Sequence, residues 1–160
     1  MMDRRGFLLT SLVGALAVPL SVEAQQGGKI ARVGYLSPST PAAVAQNLEA
    51  FGQGLRELGH VEGKTFVLEL RYAEARPERL LDLARELVSL KVDVIVTATD
   101  VAIAALKRET QMIPIVMANS GDPVGTGFVA SLARPGGNVT GLSMISLELS
   151  GKRLECPDSE

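Results

Sequence analysis

VDVIVTATDVAIAALKRETQMIPIVMANSGD, residues 92–122, places two apolar runs on either side of one short helical stretch. VDVIVTA from Val92 is apolar nearly throughout, as a strand covered on both faces should be. IPIVMA from Ile113 reads as a further strand, and Val101 to about Arg108 reads as a helix entered through Thr99-Asp100. Strand, helix and strand in that order predict a parallel pair, because parallel neighbours need a crossover of a dozen or more residues, usually helical.

The same order extends in both directions. RVGYL, Arg32 to Leu36, reads as a first strand that stops at Ser37-Pro38-Ser39-Thr40-Pro41. Thr40 as N-cap and Pro41 as first helical residue start a helix reaching to about Leu58. Val44, Leu48, Phe51 and Leu55 give it one apolar face, and Gly59 ends it. TFVLELRY, Thr65 to Tyr72, alternates enough to predict a strand near the sheet edge. A helix from Pro77 to about Leu90 turns Leu80, Leu81, Leu83, Ala84, Leu87 and Val88 inward. After the fourth strand a further helix is expected over Val124 to Leu132. Arg134 to Asn138 then read as a turn, and VTGLSM from Val139 as a fifth strand. The expected fold is α/β: a doubly wound parallel sheet with helices on both faces.

Such sheets bind ligands at the carboxyl ends of their strands. The segments to inspect are therefore Ser37 to Thr40, Thr97 to Asp100, Asn119 to Gly127 and Gly141 to Ser146, all rich in small polar residues. A rim of hydroxyls and helix N-termini suits a small polar ligand.

Composition narrows the function. The 160 residues are 46% hydrophobic, 21% charged and 4% aromatic, enough for one domain with a core. Net charge is −2, without a basic block that could neutralise several phosphates, so no nucleic-acid partner is expected. His60 is the sole histidine and sits beside Gly59 with no second ligand at useful spacing, so no metal site is expected. A hydrolase would need a nucleophile with a basic partner, and none stands near that histidine, so the chain reads as a non-enzyme. Cys156 is the only cysteine, which excludes an internal disulfide.

The amino terminus reads as an export signal. Arg4 and Arg5 precede the apolar run Phe7 to Leu20, and Val22-Glu23-Ala24 offers small residues for cleavage after Ala24. The run is shorter than the roughly 18 residues needed to span a bilayer, so no membrane span is expected after cleavage. The paired arginines also resemble a twin-arginine signal, with Asp3 where that motif usually has Ser or Thr. Residues 1–24 are expected as signal peptide, by the Sec or twin-arginine route, and 25–29 as a leader. The expected location is periplasmic.

Residues 120–143, SGDPVGTGFVASLARPGGNVTGLS, hold Gly125, Gly127 and Ala130 in the order G-x-G-x-x-A, that of a loop cradling a dinucleotide pyrophosphate. In such sites the glycine turn follows the first strand, and a ribose-holding carboxylate lies about 20 residues on, at the end of the next strand. Here the motif follows the fourth strand, and Glu148 lies beyond the fifth. An exported NAD-dependent oxidoreductase fragment is the alternative on these residues. The plainer reading makes Asp122 an N-cap and Pro123 a first helical residue, and no cofactor is expected.

GLRELGHVEGKTFVLELRYAEARPERL, KVDVIVTA and IPIVMANSGDPVGTGFVASLARPGGNVTGLS together resemble the solute-binding proteins of ABC transporters, in the subfamily linked to tryptophan and tyrosine transport. The likeness covers Ile30 to about Glu155. It implies one lobe of a periplasmic binding protein-like type I fold, without catalysis. Two lobes would close on a small ligand such as an amino acid and present it to an ABC transporter permease. Carried over, the cleft side of the first lobe would be Ser37 and Ser39, then Thr97, Thr99 and Asp100, then Asn119 to Asp122. Thr140 and Gly141 would lie near the crossing to the second lobe. Asp100 departs from the Thr or Ser, followed by Pro, that is common there. The resemblance implies a second lobe after GKRLE, whereas this sequence reads CPDSE. Residues 30–155 are thus expected as an amino-terminal lobe and 156–160 as a non-family tail. The expected product is truncated, either impaired in binding or a non-functional remnant of a truncated gene.

Overall fold

The computed structural model describes residues 29–144. The expected signal peptide at 1–24, most of the leader, and the tail at 156–160 lie outside the described residues.

Five strands form one parallel sheet: β1 (Ala31–Ser37), β2 (Phe66–Tyr72), β3 (Val94–Thr97), β4 (Ile115–Met117) and β5 (Val139–Gly141), in the order β2-β1-β3-β4-β5. The alternating TFVLELRY stretch indeed lies at an edge. Because β1 and β3 are neighbours while β2 lies beyond β1, the chain reverses its direction of travel across the sheet there. Open α/β sheets leave a crevice at such a reversal.

Three helices carry the first three crossovers: α1 (Pro41–Glu57), α2 (Leu80–Ser89) and α3 (Asp100–Glu109). α1 starts as expected, with Thr40 accepting from the Ala43 N–H and Pro41 in the first turn. It closes where the His60 N–H reaches Leu55 O at 2.9 Å and the Gly59 N–H reaches Arg56 O at 2.9 Å. The expected helix from Pro77 is a short 3-10 turn, Pro77–Arg79, running into α2.

The two faces of the sheet are covered unequally. α2 and α3 pack Leu83, Leu87, Ile103 and Leu106 against Leu36, Ile95, Ile115 and Val139. α1 lies on the other face, where Val44 and the partly buried Leu48, Phe51 and Leu55 meet Val33, Tyr35, Phe66 and Val96. β1, buried from Val33 onward, runs between both layers, which explains how few polar residues it holds.

Two expectations are corrected. β3, β4 and β5 are shorter than the runs expected for them, β5 ending at Gly141. Val92 is buried in the α2–α3 core ahead of β3, and the Asp93 carboxylate takes the Arg32 N–H at 2.8 Å where a ladder would otherwise start. The helix expected over Val124 to Leu132 does not form. One helical turn begins at Pro123 and ends at Gly127 (φ 69°), where the Phe128 N–H reaches Pro123 O and the Gly127 N–H reaches Val124 O, both at 2.9 Å. That bond pair stops a helix in its C-terminal cap. The crossover from β4 to β5 is otherwise irregular chain, anchored in the core by Val129.

Candidate functional site

The carboxyl ends of β1, β3 and β4 bring the predicted segments to one edge of the sheet. β1 ends at Ser37, which is 4% exposed and whose hydroxyl accepts from the Ser39 N–H at 3.1 Å. That bond turns the chain sharply, leaving Ser39 half-buried at the rim. Thr97, at the end of β3, is wholly buried, and its hydroxyl donates to Leu36 O at 2.9 Å. Its side chain therefore ties β3 to β1 and is not free for a ligand; the residue reaches the rim by position alone.

Thr99 and Asn119 differ from it. Thr99 is the N-cap of α3 by backbone geometry (φ −142°, ψ 143°), yet its side chain makes no capping bond. Thr99 Oγ1 and Asn119 Oδ1 are both buried without a hydrogen-bond partner. A buried acceptor left unpaired costs roughly 1–3 kcal/mol, and each of these two atoms could take a donated hydrogen bond. They follow the ends of the adjacent strands β3 and β4, whose register pairs Thr97 with Met117.

A bond unseen in the sequence joins these two ends. Ser120, 2% exposed, donates its hydroxyl to Asp100 Oδ1 at 2.7 Å. The two residues stand 20 positions apart. Only the small polar character of the loop hinted at Ser120, and nothing in the spacing hinted at its partner.

Asp122 and the glycines after it are accounted for locally. Asp122 Oδ1 takes the Gly125 N–H at 2.7 Å, and its backbone O takes the Thr126 N–H at 3.0 Å, as an N-cap should. A Cβ on Gly125 would lie 2.0 Å from Asp122 Oδ2, so the motif's first glycine makes room for the cap itself. The turn is held from below by Lys107, whose ammonium donates to Gly127 O at 2.9 Å and Phe128 O at 3.1 Å and sits 5.7 Å from the Phe128 ring centre. The G-x-G-x-x-A order thus has a structural cause on the far side of the sheet order from a dinucleotide turn.

Thr140 is exposed on β5, beside Gly141, whose φ of 137° and approach to Met117 O leave no room for a side chain. The Leu142 and Met144 N–H groups then bond to Met117 O and Ser120 O, both at 2.8 Å, so the chain leaving β5 runs beside the rim. Met117, Val129, Leu132, Thr140 and Leu142 help to line a cavity of ≈ 190 Å3 there. A larger groove of ≈ 480 Å3 lies between Arg71 and α2, but it contains none of the predicted site residues, and its wall carries the Arg71–Glu86 ion pair. Among the described residues no cluster of His, Cys, Asp or Glu could hold a metal ion, and no helix is long and apolar enough to cross a membrane.

The model of one protein family, ABC transporter substrate binding protein, matches residues 38–156. The chain belongs to that family. A tyrosine-binding protein of Clostridioides difficile (strain R20291) is 33% identical over 95 residues, 59% of this chain and 28% of that protein. Among solved structures, the ABC domain of Streptococcus pneumonia in complex with L-Trp matches with a TM-score of 0.66 and 27% identity, over 72% of this chain and 39% of that one. A conserved domain protein from Vibrio cholerae O1 matches with a TM-score of 0.70 and 32% identity, over 79% of this chain and 43% of that one. This family member therefore spans less than half the length of the relatives it matches. Its α/β fold is of the periplasmic binding protein type, as the resemblance implied.

Proposed function

We propose that this family member is the extracytoplasmic solute-binding component of an ABC transporter, and that its 30–155 lobe supplies one wall of an amino-acid cleft. The observation that carries the reading is the pair of buried, unpartnered atoms, Thr99 Oγ1 and Asn119 Oδ1, at the ends of adjacent parallel strands. Among the described residues the rim offers hydroxyls, an amide and a carboxylate, groups that suit holding a small polar solute.

Aromatic amino acids are the proposed ligands, because tyrosine and L-Trp are the molecules named for the relatives. Ser39, Thr99, Asp100 and Asn119 would meet the ligand's polar end. Ser37, Thr97 and Asp122 would hold the rim in shape, with Thr140 beside the crossing to a second lobe. Closed clefts bury most of a small ligand between two walls, and this lobe would supply one of them. An ABC transporter permease is the partner, met outside the cytoplasm.

The test is calorimetric titration of the purified chain with L-tyrosine, L-tryptophan and NAD. Heat of binding is expected for an aromatic amino acid and none for NAD. Thr99→Ala and Asn119→Ala should each weaken binding by about tenfold. Binding of NAD without either amino acid would overturn the proposal.

A further inference from the structure

The polar groups of the rim are unevenly signed. In residues 37–40, 97–100, 118–127 and 141–144 the charged side chains are Asp100 and Asp122, and no lysine, arginine or histidine stands among them. Where the Ala75 N–H reaches Pro38 O at 2.8 Å, the turn after β2 comes beside the rim with Arg76 and Arg79, but both hold Glu74, at 2.7 and 2.8 Å. Asp122 commits an oxygen to the Gly125 N–H. Asp100 takes the Ser120 hydroxyl on Oδ1 and, among the described residues, has no ion-pair partner.

Two dipeptides thus meet at the strand ends. Thr99-Asp100 follows β3 and Asn119-Ser120 follows β4, and the Ser120–Asp100 bond joins them at 2.7 Å. Each dipeptide also carries one of the buried oxygens without a partner. Asn119 Oδ1 and the carboxylate can only accept, while the Thr99 hydroxyl can accept or donate. An ammonium group brings three N–H donors and a positive charge to that set. A carboxylate would bring more acceptors and face a like charge. The positive end of α3, which would otherwise draw a ligand carboxylate, is answered by Asp100 in its own first turn.

We infer that Asp100, held by Ser120, is the specificity-determining residue of this wall and that it receives the ammonium group of the ligand. The ligand's carboxylate then lies away from the β3–β4 ends. The inference rests on the cleft reading above and adds to it the orientation of the ligand and a preference for primary amines.

Titration of the chain with L-tyrosine, tyramine and 3-(4-hydroxyphenyl)propanoate tests it, since the second lacks the carboxylate and the third the amine. Tyramine should bind within about tenfold of L-tyrosine, and the propanoate should bind about tenfold more weakly or worse. Asp100→Asn keeps an acceptor for Ser120 while removing the charge, and should weaken both amines by about tenfold with little change in melting temperature. Ser120→Ala keeps the charge but loses the bond that aims it, and should give a smaller loss. If Asp100→Asn does not fold, the three-ligand comparison on the unaltered chain still decides. L-tyrosine binding unchanged in Asp100→Asn, or propanoate binding as tight as L-tyrosine, would overturn this inference and leave the cleft reading standing. No binding of any of the three would overturn both.

Discussion

The crossover from β3 to β4 and the crossover from β4 to β5 connect neighbouring strands of one sheet by opposite means. The first is a regular helix, α3, whose Ala102, Ile103 and Leu106 are wholly buried against the sheet. The second is a single capped turn followed by irregular chain, with Val129 as its buried apolar anchor and Asp122, Lys107 and glycine as its fixings. Apolar burial along a helix face holds the first, while the second adds directed bonds and backbone geometry to a few side chains in the core, Pro123, Val129 and the partly buried Phe128. The candidate site lies where the two start, because Thr99 and Asp100 open one crossover while Asn119 and Ser120 open the other.

That contrast has measurable consequences. Leu106→Ala empties a wholly buried position in the helical crossover and should cost about 2–5 kcal/mol in urea unfolding. Gly141→Ala, at the end of the irregular crossover, places a Cβ 2.0 Å from Met117 O and should cost about 1–3 kcal/mol, with weakened exchange protection at β5. Asp122→Ala removes the cap and should cost about 1 kcal/mol. If Asp122→Ala proved as damaging as Leu106→Ala, the two crossovers would not differ in the way described.

The smallest effect lies away from both. The Arg32 backbone N–H, and then the Lys29 ammonium, hold the Asp93 carboxyl below the ordinary aspartate range. A group with a lowered folded-state pKa stabilises above its unfolded value and loses that contribution as pH falls through the folded one. Stability should therefore decline below pH about 4, and Asp93→Asn should flatten that part of the acid limb. Because the pair is exposed, the change should be slight and should shrink further in high salt.

The contrast between the crossovers also explains what was legible in the sequence. α1, α2 and α3 could be read because burial along one helix face repeats at three and four residues, as in Val44, Leu48, Phe51 and Leu55. β1 could be read as a strand because GYL holds no charged residue, and β3 as a doubly covered one because no polar residue interrupts VIV. The failed helix after Asp122 contained its own stop at Gly127, but apolar residues at Val124, Phe128 and Val129 imitated a helical face. At the site, the four segments could be read from strand order, while the individual residues were expected from the family resemblance. What could not be seen was which side chains are occupied. Thr97 and Thr99 stand two positions apart, yet one hydroxyl serves Leu36 and the other has no partner. Nor could sequence pair Ser120 with Asp100, a contact made by the sheet register and not by the chain.

The most direct test of the central claim is a 15N–1H NMR titration of the chain with L-tyrosine. Shifts are expected at residues 97–100 and 118–122, with none around Arg71, Arg85 and Ser89 in the larger groove. Shifts confined to that groove, or absent from Thr99, Asp100 and Asn119 at saturation, would contradict the assignment of this rim as the ligand wall.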